Sequence, residues 1–266
     1  MLHMITQENS SGKPLADAEW LNNHHRAKLP ERKAFAEKLV EYNPKTIVDL
    51  GCASGLWLDV FDKVMPNDCS FIGIDSDEES LELAKKHSRA WDRTSSFMKL
   101  DIESQTSLIP PADLTLAFNI FPYIKDLNLF LKALFNRCPW GVLAIRQYDG
   151  ASIRFGPMPT GKRQAIESSL RVATENSKKF RHYDLDRAYE ALNSSPYKKM
   201  SYSFELFERT SPFSEDFIPY YRDMLQWTCD HISDSAAKYL SGWLDEDANY
   251  CMKRYFFEVD LVAVLS

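Results

Sequence analysis

The sequence predicts an α/β protein in which a mostly parallel sheet of seven strands is covered by helices on both faces. Three observations support this prediction. Short β-branched runs alternate with helical patterns, a tight turn of small residues follows the first run, and a long β-branched strand ends the sequence. Parallel strands joined through helices are buried on both faces, so their sequences are expected to be apolar runs.

Length and composition limit the classes of protein to which the chain can belong. The 266 residues, 44% of them hydrophobic, suffice for one large domain with a substantial core. The formal net charge of -6 offers no general attraction for nucleic acid or for an anionic membrane. Five cysteines without paired spacing argue against a disulfide framework, and no metal site is expected. No apolar run is long enough to cross a bilayer, so we expect a soluble cytoplasmic protein.

The first part of the chain predicts two helices and then the beginning of the sheet. Residues 17–28 and 31–42 have helical spacing of apolar residues, and the second helix follows Pro30. The run TIVDL at 46–50 is β-branched, and apolar residues at helical spacing follow over 56–65. A strand, a tight turn and a helix therefore follow one another directly.

The same alternation continues to residue 150. Strands are predicted over 70–75, 96–100, 113–119 and 141–146, and helices over 77–88 and 127–135. Strands and helices that alternate at these intervals indicate βαβ units.

The rhythm changes after Gly150. Helices are predicted over 162–173 and 185–192, a strand over 200–207, two aromatic-rich helices within 215–244, and a last strand over 254–265. No internal repeat or low-complexity linker interrupts the chain, so residues 151–266 are expected to belong to the same domain as the first strands. The helical insertion before the last strand predicts either a roof over an apolar acceptor or a packing or dimer surface.

The turn after the first strand is the first candidate ligand site, because ligands of parallel α/β sheets bind beyond the carboxyl ends of the strands. Gly51 and Gly55 flank Ala53, and such small residues allow the backbone to approach a ligand closely. Asp49 precedes this turn. Its carboxylate would repel the pyrophosphate of a dinucleotide but would suit the cationic amino-acid end of S-adenosylmethionine. The third glycine of the dinucleotide fingerprint would fall at Leu56, where it is missing.

Two further aspartates follow the next two strands. Asp75, beside Ser76, lies at a distance from the turn at which a carboxylate can accept both ribose hydroxyls of an adenosyl ligand. Asp101 ends the third strand, where it could accept from an adenine amine while Ile102 packs against the ring. Each aspartate could instead cap a turn or a helix, and the interpretation depends on all three occurring together.

With these residues identified, the chain resembles the class I S-adenosylmethionine-dependent methyltransferases, which have a Rossmann-like fold. Their glycine-rich motif resembles VDLGCASG, and their two acidic motifs resemble GIDSD and KLDI. Their fourth-strand motif resembles AFNIFPYIKD. Two features of the sequence depart from the family pattern. Ala53 replaces the middle glycine and is tolerable if its φ is negative, and Pro122 and Tyr123 stand where many members have histidines.

The resemblance also implies an organisation of the chain. Residues 1–45 would form an N-terminal helical lid, residues 46–150 the cofactor-binding core, and residues 151–266 the substrate-side helices, the insertion and the final strands. Within the lid, Arg26 would hold the carboxylate of the methionine moiety, while the adjacent His24 and His25 are expected on a solvated face. Asn119 and Phe121, after the fourth strand, would face the cofactor near its methyl group.

Methyl transfer is an in-line displacement on a carbon that the sulfonium already activates, so a base is needed only if the acceptor must lose a proton. The candidate bases at or beyond strand ends are Tyr123, Tyr148, Asp149 and His182. The candidate substrate-binding residues are Arg146, Tyr148, Arg154 and Tyr220. Arg146 and Arg154 could instead form ordinary surface ion pairs without binding substrate.

The sequence therefore predicts methylation of a small-molecule acceptor on nitrogen or oxygen by a monomer or homodimer, without nucleic acid or membrane as partner. A Rossmann-type dehydrogenase that uses NAD and a noncatalytic cofactor-binding protein remain the alternatives. The lack of an evident base motivates the second of these.

Overall fold

One eight-stranded sheet organises the computed structural model, which describes residues 15–177, 180–245 and 253–266. The strands are β1 (Thr46–Leu50), β2 (Ser70–Asp75), β3 (Ser95–Lys99), β4 (Leu114–Phe118), β5 (Val142–Tyr148), β6 (Arg154–Gly156), β7 (Lys199–Thr210) and β8 (Tyr255–Leu265). Their order is β3-β2-β1-β4-β5-β8, with β6 and β7 also pairing with β8. Residues 1–14 of the predicted lid and 246–252 of the insertion, with Cys251, lie outside the described residues.

The direction of the strands confirms a mostly parallel sheet. β1 to β5 run parallel, and β8 is antiparallel to both β5 and β7, so β7 runs in the same direction as the first five. The strand order reverses between β1 and β4, which is the position at which sheets of this kind bind their ligands. The short β6 was not predicted. Its three residues, which follow β5 in the chain, pair with the start of β8, so the sheet has eight strands instead of the predicted seven.

Helices cover the sheet, and several of them begin where an aspartate caps the first turn. They are α1 (Ala18–Ala27), α2 (Leu29–Leu39), α3 (Leu56–Val64), α4 (Glu78–His87), α5 (Leu127–Arg137), α6 (Thr160–Asn176), α7 (Leu185–Ser194), α8 (Ile218–His231) and α9 (Asp234–Asp245). The aspartate caps are Asp17, Asp77, Asp126 and Asp184. The second helix begins at Leu29 rather than after Pro30, which lies in its first turn and needs no N–H there.

Apolar side chains from the helices pack on both faces of the sheet, as predicted. One core contains Leu50, Leu131 and Ile145, and a second contains Ile47, Phe61 and Leu116. Alternate residues of a strand point to opposite faces, which explains why Ile47 and Leu50 of one strand belong to different cores.

The insertion follows the carboxyl end of β7, and its described residues include α8 and α9. Its aromatic residues Phe217, Tyr220 and Tyr221 are fully buried and form a third core with Phe207 and Phe256. These side chains therefore pack the insertion onto the β7–β8 pair.

Candidate active site

The turn after β1 is tied to β2 by two backbone hydrogen bonds. The N–H groups of Gly51 and Cys52 donate to the Ile74 carbonyl at 2.8 and 2.9 Å. Gly51 has a φ of 70°, and a Cβ atom added there would lie 2.6 Å from Ile120. This position therefore requires glycine both for its left-handed backbone and for space.

The expectation that Ala53 keeps a negative φ is wrong, because the structure gives it a φ of 46°. The Ala53 N–H donates to Asp75 Oδ2 at 2.8 Å, which ties the turn to the end of β2. This hydrogen bond offsets part of the cost of left-handed backbone at an alanine.

Replacing Ala53 with glycine should stabilise the folded protein by up to about 1 kcal/mol. Left-handed backbone costs a residue with a Cβ about 1–2 kcal/mol, and glycine avoids this cost. Glycine also has more conformational freedom in the unfolded chain, which reduces the gain in stability by about 0.5–1 kcal/mol. Denaturant unfolding of Ala53→Gly measures the difference. Gly55→Ala, at a φ of 81°, is the reverse control and should lose stability. An Ala53→Gly variant less stable than wild type would contradict the inference that the backbone is strained at Ala53.

Asp49 has an unpaired carboxylate oxygen inside the protein. The residue is 2% exposed, and Oδ2 has no hydrogen-bond partner among the described residues. Burial raises the pKa of Asp49 to about 8; the Asp75 carboxylate contributes to the increase and the Arg32 guanidinium opposes it. A buried group with an unused acceptor that resists ionisation is suited to receive a cation from a ligand.

Asp75 lies at the end of β2, beside the turn. Its carboxylate accepts from the N–H groups of Ala53 at 2.8 Å and Asp77 at 2.9 Å. Burial raises its pKa, and these backbone hydrogen bonds oppose the shift. A carboxylate offers about four acceptor positions, so Asp75 keeps capacity for further donors such as hydroxyl groups. Ser76, the next residue, is half-buried.

Asp101 follows β3 and organises a turn. Its Oδ1 accepts from the N–H groups of Glu103 at 3.1 Å and Ser104 at 3.0 Å, while its own N–H donates to Gln105. Asp101 therefore caps a turn, which is the structural role that the sequence left open for this aspartate. Ile102 is partly buried against the core beneath it.

The residues after β4 divide into supporting and site-facing positions. Asn119, with a φ of 57°, accepts from the Tyr148 N–H through Oδ1 at 3.0 Å and so links the ends of β4 and β5. Phe121 is fully buried in the core. Tyr123 lies close enough to Asp75 for its charge to add to the effect of burial, which raises the pKa of Tyr123.

An aromatic cluster joins the ends of β4 and β5. The hydroxyl of Tyr183 donates to that of Tyr123 at 3.3 Å, and the ring of Tyr148 lies 5.6 Å from Tyr183 and 6.1 Å from Trp227. Burial raises the pKa of Tyr148 well above its ordinary value. Both predicted tyrosines therefore remain protonated near neutral pH, so they can orient an acceptor but are poor bases.

The two other candidate bases lie beside this cluster in the sequence. Asp149 accepts from Ser152 Oγ at 2.5 Å and from the Ala151 N–H at 3.0 Å, and burial raises its pKa. His182, with a φ of 77°, donates its backbone N–H to Thr174 at 3.2 Å and precedes Tyr183.

The N-terminal helices bring a different set of cations to the site than the sequence suggested. The guanidinium of Arg26 is half-exposed and binds Asp216 at 2.5 Å. Arg32, in contrast, is buried and lies 4.7 Å from the Trp57 ring. The Arg32 charge reaches Asp49, and burial lowers its own pKa to about 10.

The expectation of a solvated face at His24 and His25 is wrong, since both side chains are buried. Arg32 lies 2.8 Å from His25 Nδ1, and burial with the Arg32 charge lowers the pKa of His25 to about 3. His24 stacks on Tyr220 at 5.0 Å. His24, Lys28 and Arg32 follow one another at intervals of four residues across the junction of α1 and α2, and this spacing was the signal in the sequence.

Arg146 belongs to a buried charge network, which we define as Lys28, Arg146, Tyr220, Glu258 and Asp260. Arg146 Nε donates to Asp260 at 2.8 Å, and the Tyr220 hydroxyl donates to Glu258 at 2.8 Å. Lys28 Nζ contacts Glu258 and lies 3.5 Å from Asp260. Two predicted substrate-binding residues, Arg146 and Tyr220, thus have partners inside the protein.

Arg154 makes an ordinary ion pair, which was the alternative to a role in substrate binding. It bonds Glu167 at 2.7 Å and lies 5.0 Å from the Phe257 ring, away from the turn after β1 in the sheet order. Within the described residues, no group of three or more histidines, cysteines and acids could hold a metal ion, and no helix has the length and apolarity that crossing a bilayer requires.

Comparison with known proteins finds a family match in the first half of the chain and a shared fold. Residues 47–138 match the family described as methyltransferase domain. YcgJ from Bacillus subtilis shares the fold with a TM-score of 0.54 and 12% identity, over 89% of this chain and 98% of that one. Mycolic acid cyclopropane synthase CmaA1, complexed with SAH and CTAB, gives a TM-score of 0.53 and 12% identity, over 90% and 85%. No curated protein matches the sequence significantly.

A further solved structure, the plantazolicin methyltransferase BpumL in complex with a monoazolic desmethylPZN analog and SAH, is 19% identical, with a TM-score of 0.46 over 92% of this chain and 88% of that one. The domain match and the fold confirm the identification made from the sequence motifs. Residues 47–138 match a methyltransferase domain, and this match supports a protein that uses S-adenosylmethionine as methyl donor.

Proposed function

We propose that the protein transfers the methyl group of S-adenosylmethionine to nitrogen or oxygen of a small-molecule acceptor. The observation that carries this proposal is the buried, unpaired oxygen of Asp49 beside the turn. A cationic ammonium from the donor would satisfy this oxygen, whereas the pyrophosphate of NAD would be repelled. The proposed compartment is the cytoplasm, because Cys52, Cys69, Cys138 and Cys229 are free thiols.

The donor would lie along the carboxyl ends of β1, β2 and β3. Asp49 would bind the ammonium of the donor. Gly51 and Ala53 would allow the donor to approach the backbone of the turn closely. Asp75 and Ser76 would take the ribose hydroxyls, because Asp75 keeps acceptor capacity. Asp101 and Ile102 would border the adenine, and Asn119, with Phe121 beneath it, would shape the end nearest the methyl group.

We propose Arg32 rather than Arg26 as the cation for the donor carboxylate. Arg26 is engaged by Asp216 on the exposed side of the lid, while the Arg32 charge acts on Asp49 itself. A carboxylate between Arg32 and the turn would place opposite charges side by side in a buried region, where such pairs are strongest.

Bound S-adenosylmethionine supplies a methyl group activated by its sulfonium. The residues of this chain would then provide alignment and exclude water. Tyr123 and Tyr148, held protonated, would hydrogen-bond the acceptor in line with the methyl group. If the acceptor must lose a proton, His182 and Asp149 are the candidates left in that region, since phenols with raised pKa values do not take protons.

Labelled methyl donor, incubated with the protein and fractionated cell extract, tests the proposal. The expected product is a labelled small molecule that does not form with Asp75→Asn. Label found in nucleic acid or protein would reject a small-molecule acceptor. Donor binding without any labelled product would favour the noncatalytic alternative. The match of residues 47–138 to a methyltransferase domain already disfavours a dehydrogenase.

Replacing Tyr148 with phenylalanine should lower kcat about tenfold while leaving the affinity for the donor unchanged. The variant removes one hydroxyl that would orient the acceptor, and one hydrogen bond contributes about 1 kcal/mol. Steady-state kinetics with the identified acceptor and calorimetry with SAH measure the two quantities. Tyr202→Phe, on β7, is the matched control and should behave as wild type. Equal kcat values for Tyr148→Phe and wild type would exclude this role.

A further inference from the structure

The buried guanidinium of Arg32 has no ion-pair partner within the described chain. Two other buried arginine side chains, those of Arg93 and Arg146, are 1% and 4% exposed, and each binds an aspartate at 2.8 Å. Arg32 is 6% exposed, yet no carboxylate among the described residues forms an ion pair with it. Because a buried charge is costly unless an opposite charge lies close to it, the missing partner points to the carboxylate of a ligand.

The Arg32 guanidinium lies beside the proposed donor site. It is 4.7 Å from the ring of Trp57, in the first turn of α3, and that helix begins directly after Gly55. Its charge also acts on Asp49, the proposed partner of the donor ammonium. The ammonium and the carboxylate of S-adenosylmethionine are attached to the same carbon atom. A donor whose ammonium binds Asp49 would therefore bring its carboxylate close to Arg32.

A neutral histidine holds this guanidinium. Arg32 Nη1 donates to His25 Nδ1 at 2.8 Å, and both side chains are buried. Arginine has donors only, so Nδ1 is the acceptor and the His25 ring is uncharged. Burial and the Arg32 charge lower the pKa of His25 to about 3, which keeps the ring neutral near pH 7. A neutral acceptor orients the guanidinium without cancelling its charge, as a carboxylate in the same place would do.

We propose that His25 is a positioning residue, which keeps Arg32 oriented and fully charged for the carboxylate of the methyl donor. The proposal rests on the proposed function, because it takes S-adenosylmethionine as the ligand. It follows that the protein distinguishes S-adenosylmethionine from its decarboxylated form, which keeps the ammonium and the sulfonium but lacks the carboxylate. The charged hydrogen bonds to Arg32 should favour S-adenosylmethionine by about 10- to 100-fold.

Three substitutions of His25 test this role, with the ratio of the dissociation constants of the two ligands as the readout. His25→Asn places an amide oxygen near the position of Nδ1 and should keep most of the preference for S-adenosylmethionine. His25→Asp has the same size but pairs its charge with Arg32, so it should abolish the preference. His25→Leu removes the acceptor and should lower the preference by about fivefold. Competition calorimetry measures both constants for each protein.

The ratio does not depend on the fraction of protein that is folded, so a destabilised variant still gives an answer. His24→Leu, at the adjacent buried histidine that stacks on Tyr220, is the matched control and should keep the wild-type ratio. A histidine that only packed the lid would weaken both ligands equally, so an unchanged ratio in His25→Asp would overturn the proposal. Wild type that binds both ligands equally would also overturn it while leaving the methyl donor in place. Wild type that binds neither ligand would refute the donor as well.

Discussion

Asp49→Asn is expected to make the free protein more stable and to weaken its binding of the donor. Burial raises the pKa of Asp49 to about 8, far above that of an exposed aspartate, so at neutral pH the folded protein resists an ionisation that the unfolded chain undergoes freely. Asparagine removes this cost while keeping the size and shape of the protonated acid. The expected gain in the free energy of unfolding at pH 7 is on the order of 4 kcal/mol.

The pH dependence fixes the sign of this effect. A carboxyl whose folded pKa is raised binds a proton in the folded state that the unfolded state has released, so wild-type stability falls as pH rises from about 4 to about 8. The advantage of Asp49→Asn should therefore be absent near pH 4 and largest at and above pH 8. Urea unfolding at a series of pH values measures it, and Asp92→Asn, at an exposed aspartate, is the matched control.

Binding changes in the opposite direction. Loss of a charged hydrogen bond to the donor ammonium should reduce the affinity of Asp49→Asn for SAH by about 10- to 100-fold, which corresponds to about 1.5–3 kcal/mol. A residue that only supported the turn would give the reverse pattern, with lower stability and little change in affinity. A variant that is less stable than wild type at pH 8, or that binds SAH equally well, would refute this role of Asp49.

Lys28→Met is expected to destabilise the fold by about 3–5 kcal/mol, because it leaves buried carboxylates without their cation. Lys28 is 3% exposed, contacts Glu258, which is fully buried, and lies 3.5 Å from Asp260. Burial raises the pKa of Glu258 even with the lysine present. Without Lys28 this pKa should rise further, so the stability of the variant should fall as pH rises.

A second substitution distinguishes lost charge balance from lost packing. Lys28→Met with Glu258→Gln removes both charges and keeps an acceptor for the Tyr220 hydroxyl, so it should recover most of the loss. Lys33→Met, at an exposed residue in α2, is the control and should change stability by less than about 0.5 kcal/mol. Chemical denaturation of wild type, Lys28→Met, Glu258→Gln and the double variant gives the double-mutant cycle. A Lys28→Met variant as stable as wild type would show that Lys28 does not stabilise the buried charge network.

Local patterns were sufficient to predict the sheet and the aspartates at its edge. TIVDL and SFIGID are β1 and β2 to the residue, because buried parallel strands are apolar runs that need no distant information. Asp49 and Asp75 follow from those strands, since a strand end fixes where the next side chain lies.

The rest could not be predicted because it depends on contacts between distant parts of the chain. Arg146 and Asp260 are 114 residues apart, and only folding reveals that a predicted substrate arginine has a buried partner. The positive φ of Ala53 is held by Asp75 from the neighbouring strand. The three-residue β6 has no periodicity to detect, and its pairing with β8 depends on the end of the chain.

Calorimetric titration of the protein with SAH at pH 7, in two buffers of different ionisation enthalpy, tests the central claim most directly. If the buried Asp49 carboxyl must ionise to receive the ligand ammonium, binding should release about one proton from wild type and none from Asp49→Asn. Asp75→Ala should bind weakly or not at all. Wild-type protein that gives no heat with SAH, or binds it without releasing a proton, would contradict the account.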